Sequence, residues 1–407
     1  MYFTEKKIVK RIINKIGTPT FVTNKEILCH KVKVMKKAFG RNVKLFYALK
    51  ANYNPSIIDV LKEAGIDGVD TVSPFEVMLA KNKGFSNKNI IFTGNNLSTE
   101  ELREAYNQGV ILNLGSISEL KRFGKLFSKS DISLRINPEI GDGEFKEVIT
   151  GGESSKFGIS IKNFKDANNL LEKYKLNLIG LQCHIGSGMY NINKFEKAIL
   201  PLFKIASKFK NLRFIDLGGG FGVRYKPFQS QIKLEDFAKI IDTNLKKFFH
   251  KENTNIEIIL EPGKFLVAES TCLITKVTAI NQSHGITFVG TDTGMNHIIR
   301  PVCYSAYHHI INISHPNKEK KLVKVVGNIC ESSDVFVEQI EISNPKEGDI
   351  LAILTAGAYC ASMSSLYNLR PYAAEVLVDK DDFYIIRERL SFEKTIQTLG
   401  FTCLKNR

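Results

Sequence analysis

Four kinds of chemically useful residue follow short apolar segments in this chain of 407 residues. Lys50 ends the segment Phe46-Tyr47-Ala48-Leu49, and His184 ends 178–184. The triplet Gly218-Gly219-Gly220 follows 214–217, and Glu261 follows 256–260. An amine in such a place can form a Schiff base with an aldehyde, and burial among Phe46, Tyr47 and Leu49 would disfavour its charged form and make it a better nucleophile. A glycine run lets backbone N–H groups approach an anion closely. Taken singly these are ordinary features: a lysine capping a strand, a plain turn, a satisfied core histidine. Their order along the chain is what gives them meaning.

The elements that would carry them alternate. β-Branched apolar segments at 44–49, 68–72, 90–93, 110–114, 132–136, 178–184, 214–217 and 256–260 predict eight strands. Between them, apolar residues at three-to-four spacing predict helices at 55–64, 74–83, 99–108, 118–127, 164–174, 194–208 and 234–249. Strands alternating with helices pair in parallel, and eight repeats predict a closed (β/α)₈ TIM-type barrel, an open doubly wound sheet being the alternative. Segments 271–280, 287–291, 322–326, 335–340, 350–354, 374–378 and 383–387 are strand-like without intervening helices and predict a C-terminal β domain, of sandwich or barrel type. The expected division is a barrel at 24–268, with 1–23 and 269–407 forming the β domain.

On such a barrel Lys50, His184, the glycine run and Glu261 all fall at the carboxyl ends of strands one, six, seven and eight, where active sites of this architecture lie and where a phosphate is often held. Amine, phosphate cradle, flat imidazole and carboxylate together suit pyridoxal 5'-phosphate. Lys50 would hold the aldehyde, and Gly218, Gly219 and Gly220, helped by the Ser187 hydroxyl, would hold the phosphate. His184 would stack on the ring, and Glu261 would keep the ring nitrogen protonated.

A wider set of runs then resembles one family: the fold type III, alanine-racemase-like, pyridoxal-phosphate-dependent decarboxylases. These are Tyr47-Ala48-Leu49-Lys50-Ala51-Asn52, Ser155-Lys156-Phe157-Gly158, His184-Ile185-Gly186-Ser187, the glycine run, Glu261-Pro262-Gly263-Lys264, Asp292-Thr293-Gly294-Met295-Asn296, Arg300-Pro301 with Tyr304, Cys330-Glu331-Ser332-Ser333-Asp334 and Gly357-Ala358-Tyr359. The resemblance implies a homodimer in which Cys330 and Glu331 enter the partner chain's site, Cys330 as proton donor. It adds Gly263, Lys264 and Tyr359 to the cofactor-binding residues, with Tyr359 also touching substrate. Arg135 and Glu76 match further positions near the cofactor.

Charge narrows the substrate. An amino acid whose far end carries both a carboxylate and an ammonium needs a cation and an anion, which Arg300 and Glu331 supply. Arg300 offers a fork for the carboxylate, with Lys264, Tyr304 and Tyr359 beside it. The expected reaction is decarboxylation of meso-2,6-diaminopimelate to L-lysine and carbon dioxide. An ornithine- or arginine-type enzyme would grip a distal cation alone, and an arginine there would repel it. Two departures from the family pattern bear on this: Lys264 stands where arginine is usual, and Ser333 where glycine is usual.

Composition excludes other classes. Hydrophobic residues make up 43% of a chain without a membrane-length apolar run, and the start lacks a signal-peptide core, so a cytoplasmic protein is expected. Seven dispersed cysteines without a Cys-x-x-Cys pair argue against disulfides and a metal site. The net charge of +15 is spread along the chain, apart from a basic cluster at 318–324, and no nucleic-acid-binding motif accompanies it. A decarboxylase for ornithine, arginine or carboxynorspermidine, an amino-acid racemase and a non-catalytic cofactor-binding homologue remain as alternatives.

Overall fold

A computed structural model describes residues 6–249 and 256–401. The chain divides into two compact units: 29–223 with 231–266, and the described parts of 1–28, 224–230 and 267–407. Residues 224–230, which the sequence reading kept with the barrel, group with the second unit.

The first unit is a closed parallel barrel. Its strands are β1 (Val43–Ala48), β2 (Gly68–Thr71), β3 (Ile90–Phe92), β4 (Ile111–Leu114), β5 (Asp131–Asn137), β6 (Asn177–Gln182), β7 (Phe214–Asp216) and β8 (Glu257–Leu260). They are hydrogen-bonded in the order β4-β3-β2-β1-β8-β7-β6-β5, and pairing of β4 with β5 closes the ring. The eight predicted strands are therefore all present, with ends shifted by a residue or two. Local chemistry fixes where helices begin after them. Asn54 caps Pro55–Ala64, Ser73 caps Pro74–Asn82, and Ser98 with Glu101 forms a reciprocal capping box for Thr99–Asn107. The helix Lys25–Phe39 preceding β1 was not anticipated.

Side chains on one strand face recur every second residue. One apolar cluster of the barrel comprises Phe46, Ile91, Ile179, Phe214 and Ile259, with Ile111 packed against it. Two of these rings fit because glycines face them: a Cβ on Gly68 would lie 2.7 Å from the Phe46 ring, and one on Gly180 would lie 2.1 Å from that of Phe214. Two residues further along seven of the eight strands the same face is polar; on β1 it is Ala48. Asp70 follows Gly68, Thr93 follows Ile91, Asn113 follows Ile111, Arg135 follows Ser133, Gln182 follows Gly180, Asp216 follows Phe214 and Glu261 follows Ile259; all are buried. The apolar layer keeps this polar layer at the carboxyl end of the barrel.

The second unit holds a nine-stranded mixed sheet. Its central strand Thr271–Ser283 pairs with Ile286–Thr291, Ile350–Ile353 and Thr20–Asn24. Thr20–Asn24 in turn runs parallel to Ala374–Asp379. The early chain thus returns to this sheet, as the sequence left open, while Thr20–Asn24 and Ile310–Asn312 were not predicted as strands. Phe21, Leu273, Val289, Val325, Leu351 and Ile353 lie fully or almost fully buried in its core. No helix among the described residues is long and apolar enough to cross a membrane.

Candidate active site

Lys50 leaves β1 in the single turn Leu49–Ala51, with Leu49 and Ala51 buried on either side of it. Its Nζ lies 2.6 Å from Asp70 Oδ2 at the end of β2; the lysine side chain is 35% exposed and that of Asp70 fully buried. This corrects the expectation of an apolar setting. The amine thus faces a buried carboxyl group on the neighbouring strand. Asp70 has its other oxygen, Oδ1, buried without a hydrogen-bond partner. Beside it, Glu76 opens the helix after β2 and accepts the Val72 N–H at 2.8 Å. Burial, reinforced by Asp70, raises its pKa to about 7 against the opposing Val72 hydrogen bond.

His184 leaves β6 half-buried and accepts the Gly219 N–H on Nδ1 at 3.2 Å. Burial, Arg135 and Lys50 push its pKa well below the ordinary value, so the ring is neutral and flat at physiological pH. Arg135 stacks over Phe157 at 4.7 Å, and its positive charge faces the field of Glu261, Asp70 and Asp216.

The glycine run is a place where only glycine fits. Gly218 and Gly220 have φ of +66° and +91°. A Cβ on Gly219 would lie 2.0 Å from the Glu261 carbonyl oxygen, and one on Gly220 2.0 Å from that of Gly186. The exits of β6, β7 and β8 are thus pressed together, with Glu261 N–H donating to Gly218 O at 2.8 Å. Gly263 is less tightly enclosed, its missing Cβ facing the Ala51 and Ala48 methyls at 3.1 and 3.2 Å on the Lys50 side. The Ser187 backbone belongs to the same rim, its N–H donating to Val148 O at 3.1 Å.

Glu261 is buried and takes the Gln182 Nε2 hydrogen at 3.0 Å on Oε2, while Oε1 has no partner. Burial, reinforced by Asp70, raises Glu261 to about 7, and burial, reinforced by Glu261, raises the nearby Asp216 well above the usual range. Asp70, Gln182 and Asp216 were missed in the sequence; all three could have been found by counting two residues on from the inward core position of their strands.

These residues fit pyridoxal phosphate. Orphaned oxygens of Asp70, Gln182, Asp216 and Glu261 ring the barrel mouth, next to an amine and a backbone cradle too tight for any Cβ. Without the cofactor, Glu76 and Glu261 keep their protons up to about pH 7 when folded but lose them near 4.5 when unfolded. The folded state then binds more protons between those values, so stability falls as pH rises through that window. Melting of cofactor-free protein should show this fall, and Glu261→Gln should make it shallower; a melting temperature that rises from pH 5 to 7 by the same amount in both proteins would contradict the assignment.

In the second unit, Arg300 is buried, its Nη1 donating to His308 Nε2 at 2.9 Å and its guanidinium lying 4.6 Å from the Tyr225 ring centroid. His308 Nδ1 in turn donates to Leu354 O at 3.0 Å, fixing the tautomer that receives Arg300. Tyr304, half-buried, ends the short helix Arg300–Tyr304. Cys330 and Glu331 are exposed on a loop organised by Asp334, which accepts the N–H groups of Met295 at 2.6 Å and Ile329 at 2.8 Å. Ser333 does not have positive φ, so replacing a glycine there costs no backbone strain. Tyr359, by contrast, is held at φ +56°, an unusual setting for an aromatic residue.

Comparison with known proteins agrees with this geometry. The model of the pyridoxal-dependent decarboxylases, pyridoxal binding domain, matches residues 26–268. The diaminopimelate decarboxylase of Methanothermobacter thermautotrophicus is 35% identical over 95% of this chain and 92% of its own length. That of Aquifex aeolicus is 34% identical over 97% and 94%. The crystal structure of diaminopimelate decarboxylase from Helicobacter pylori complexed with L-lysine superposes with a TM-score of 0.88 at 33% identity, over 96% of this chain and 99% of that one.

Proposed function

The chain belongs to the pyridoxal-dependent decarboxylases, and within them to the diaminopimelate decarboxylases, and from that premise we propose how its own residues perform the reaction. The substrate is meso-2,6-diaminopimelate and the products are L-lysine and carbon dioxide. Pyridoxal 5'-phosphate, when bound, supplies an aldehyde for an amine and a ring that takes up the electron pair left as carbon dioxide departs.

Lys50 is the amine that anchors the cofactor, and Asp70 at 2.6 Å orients it. Gly218, Gly219 and Gly220, with the Ser187 hydroxyl, are assigned to the phosphate. The Gly218 and Gly219 N–H groups are already engaged by Asp216 Oδ1 and His184 Nδ1, so these two glycines serve by their lack of a side chain. Gly263, Lys264 and Tyr359 are assigned as further cofactor-binding residues. His184 is the flat neutral surface on which the ring stacks. Glu261 faces the ring nitrogen and keeps its proton in place; burial, reinforced by Asp70, raises the Glu261 pKa to about 7, and these carboxyls favour a cation opposite them. This buried Glu261, with one oxygen unpartnered at the barrel mouth, is the observation that carries the reading.

Cys330 is the acid that delivers the proton to Cα after carbon dioxide leaves, and Glu331 binds the distal ammonium. Both are exposed in the single chain, as residues offered to the site of a second copy in a homodimer would be. Arg300, Tyr304 and Tyr359 bind the distal carboxylate, together with Lys264. The His308 and Tyr225 contacts hold the Arg300 fork in one orientation, which lowers the entropy lost on binding. A panel of meso-diaminopimelate, ornithine, arginine and carboxynorspermidine tests the substrate. Diaminopimelate should have the highest kcat/KM, and a higher value for any of the others would overturn the assignment.

A further inference from the structure

Gln182 ends β6, where its backbone lies in register with Arg135 of β5 on one side and Asp216 of β7 on the other. Its side chain has no way out to solvent, the residue being 1% exposed, and its Nε2 donates to Glu261 Oε2 at 3.0 Å. This one bond joins the exits of β6 and β8 across β7. Two buried oxygens are left over, for neither Gln182 Oε1 nor Glu261 Oε1 has a hydrogen-bond partner. The setting of the amide is therefore fixed by the single bond that its nitrogen makes.

The two oxygens of Glu261 are thereby made unequal. An amide nitrogen only donates, so Oε2 must accept from it, and any proton on the carboxyl belongs to Oε1. The same bond favours the ionised carboxyl, because a donor stabilises the charged acceptor more than the neutral one. It opposes burial and Asp70, which favour the protonated form, and acts with the cations Lys50 and Arg135; Asp216 is the remaining titratable neighbour. An amide suits this place. It donates without bringing a cation that would repel a protonated ring nitrogen, and it does not titrate, so the bond holds across the pH range.

We propose that Gln182 is a positioning residue for the decarboxylation: by holding Glu261 Oε2 it reserves Oε1 for the ring nitrogen of pyridoxal phosphate and keeps the shared proton on that nitrogen. This role rests on the cofactor and the Glu261 assignment given above, and adds a residue that acts through Glu261. Without the amide, a carboxyl in this buried, carboxyl-rich layer loses a partner that favours its ionised form, and the proton passes from the ring nitrogen to Glu261. The ring then draws electrons less strongly, and departure of carbon dioxide slows.

The experiment reads the ring nitrogen itself, by nitrogen-15 NMR of holoenzyme loaded with ring-labelled pyridoxal phosphate. Gln182→Met keeps the length of the side chain and removes the donor. It should shift the proton toward Glu261 by roughly 10- to 100-fold, the worth of one hydrogen bond to a charged group, and should lower kcat with KM nearly unchanged. A purely structural role would weaken cofactor retention or melting temperature without moving the nitrogen signal of bound cofactor, and an unmoved signal overturns the proposal. Should that variant fail to fold, a neutron structure of the wild-type holoenzyme decides. Gln182 deuterons directed at Oε2, with Oε1 against the ring nitrogen, support the assignment; an amide turned to accept a deuteron from Oε2, or Oε2 against the ring, overturns it. Glu261→Gln is the reference. If it moves the nitrogen signal and Gln182→Met does not, only the role of Gln182 is lost; if neither moves it, the placement of Glu261 at the ring nitrogen fails as well.

Discussion

Lys50→Ala should leave a folded protein that no longer holds pyridoxal phosphate covalently and that has lost roughly three or more orders of magnitude in kcat. The reason lies in the geometry of one strand exit. Buried Leu49 and Ala51 fix the turn, and the fully buried Asp70 receives the ammonium at 2.6 Å. Lys264, just beyond Gly263, pairs with Glu144 instead. Removing the amine also strands Asp70 as a buried carboxylate, which costs about 1–3 kcal/mol or more, so some loss of melting temperature accompanies the loss of activity. Borohydride treatment followed by peptide mapping reads the covalent link directly, and should label Lys50 in wild type and nothing in the variant. Labelling of another lysine, or undiminished turnover in Lys50→Ala, would remove the anchor from the account.

Cys330→Ala should bind cofactor as well as wild type yet turn over about two to four orders of magnitude more slowly, the usual worth of a placed general acid. The exposed thiol sits on a loop whose shape depends on Asp334 holding Met295 and Ile329, and on Asn368 accepting the Cys330 N–H at 2.8 Å. None of these uses the sulfur, so the loop should survive the substitution. A mixed assembly separates supply by a partner from supply within one chain. Equal amounts of Lys50→Ala and Cys330→Ala chains, reassembled at random, should regain about a quarter of the wild-type sites if Cys330 crosses the dimer interface. Reassembly without recovery would place the acid elsewhere.

Much of this was legible in the sequence because barrel strands announce themselves and because chemistry sits where they stop. Phe46 to Leu49 and Ile258 to Leu260 are apolar runs with an abrupt polar end, and Lys50 and Glu261 stand there. The glycine run was legible for a related reason: a triplet with two left-handed residues has few other uses at such an exit. What stayed hidden depended on distance in sequence. Asp70 and Asp216 look like any acid inside a short strand until the ring closes and puts them on its inner face. Glu144 meets Lys264 across 120 positions through a loop with no periodicity. The strand Thr20–Asn24 stands far in sequence from the rest of its sheet and is defined by partners at Thr271–Ser283 and Ala374–Asp379. The lysines of Lys25–Phe39 likewise blur its apolar face. The expected apolar cage for Lys50 failed because the residue that decides its surroundings lies on the neighbouring strand.

The stoichiometry of the purified holoprotein acting on meso-diaminopimelate tests the central claim most directly. One L-lysine should appear for each carbon dioxide released, with no inversion of the remaining centre. Carbon dioxide without lysine, or racemised diaminopimelate without carbon dioxide, would contradict it.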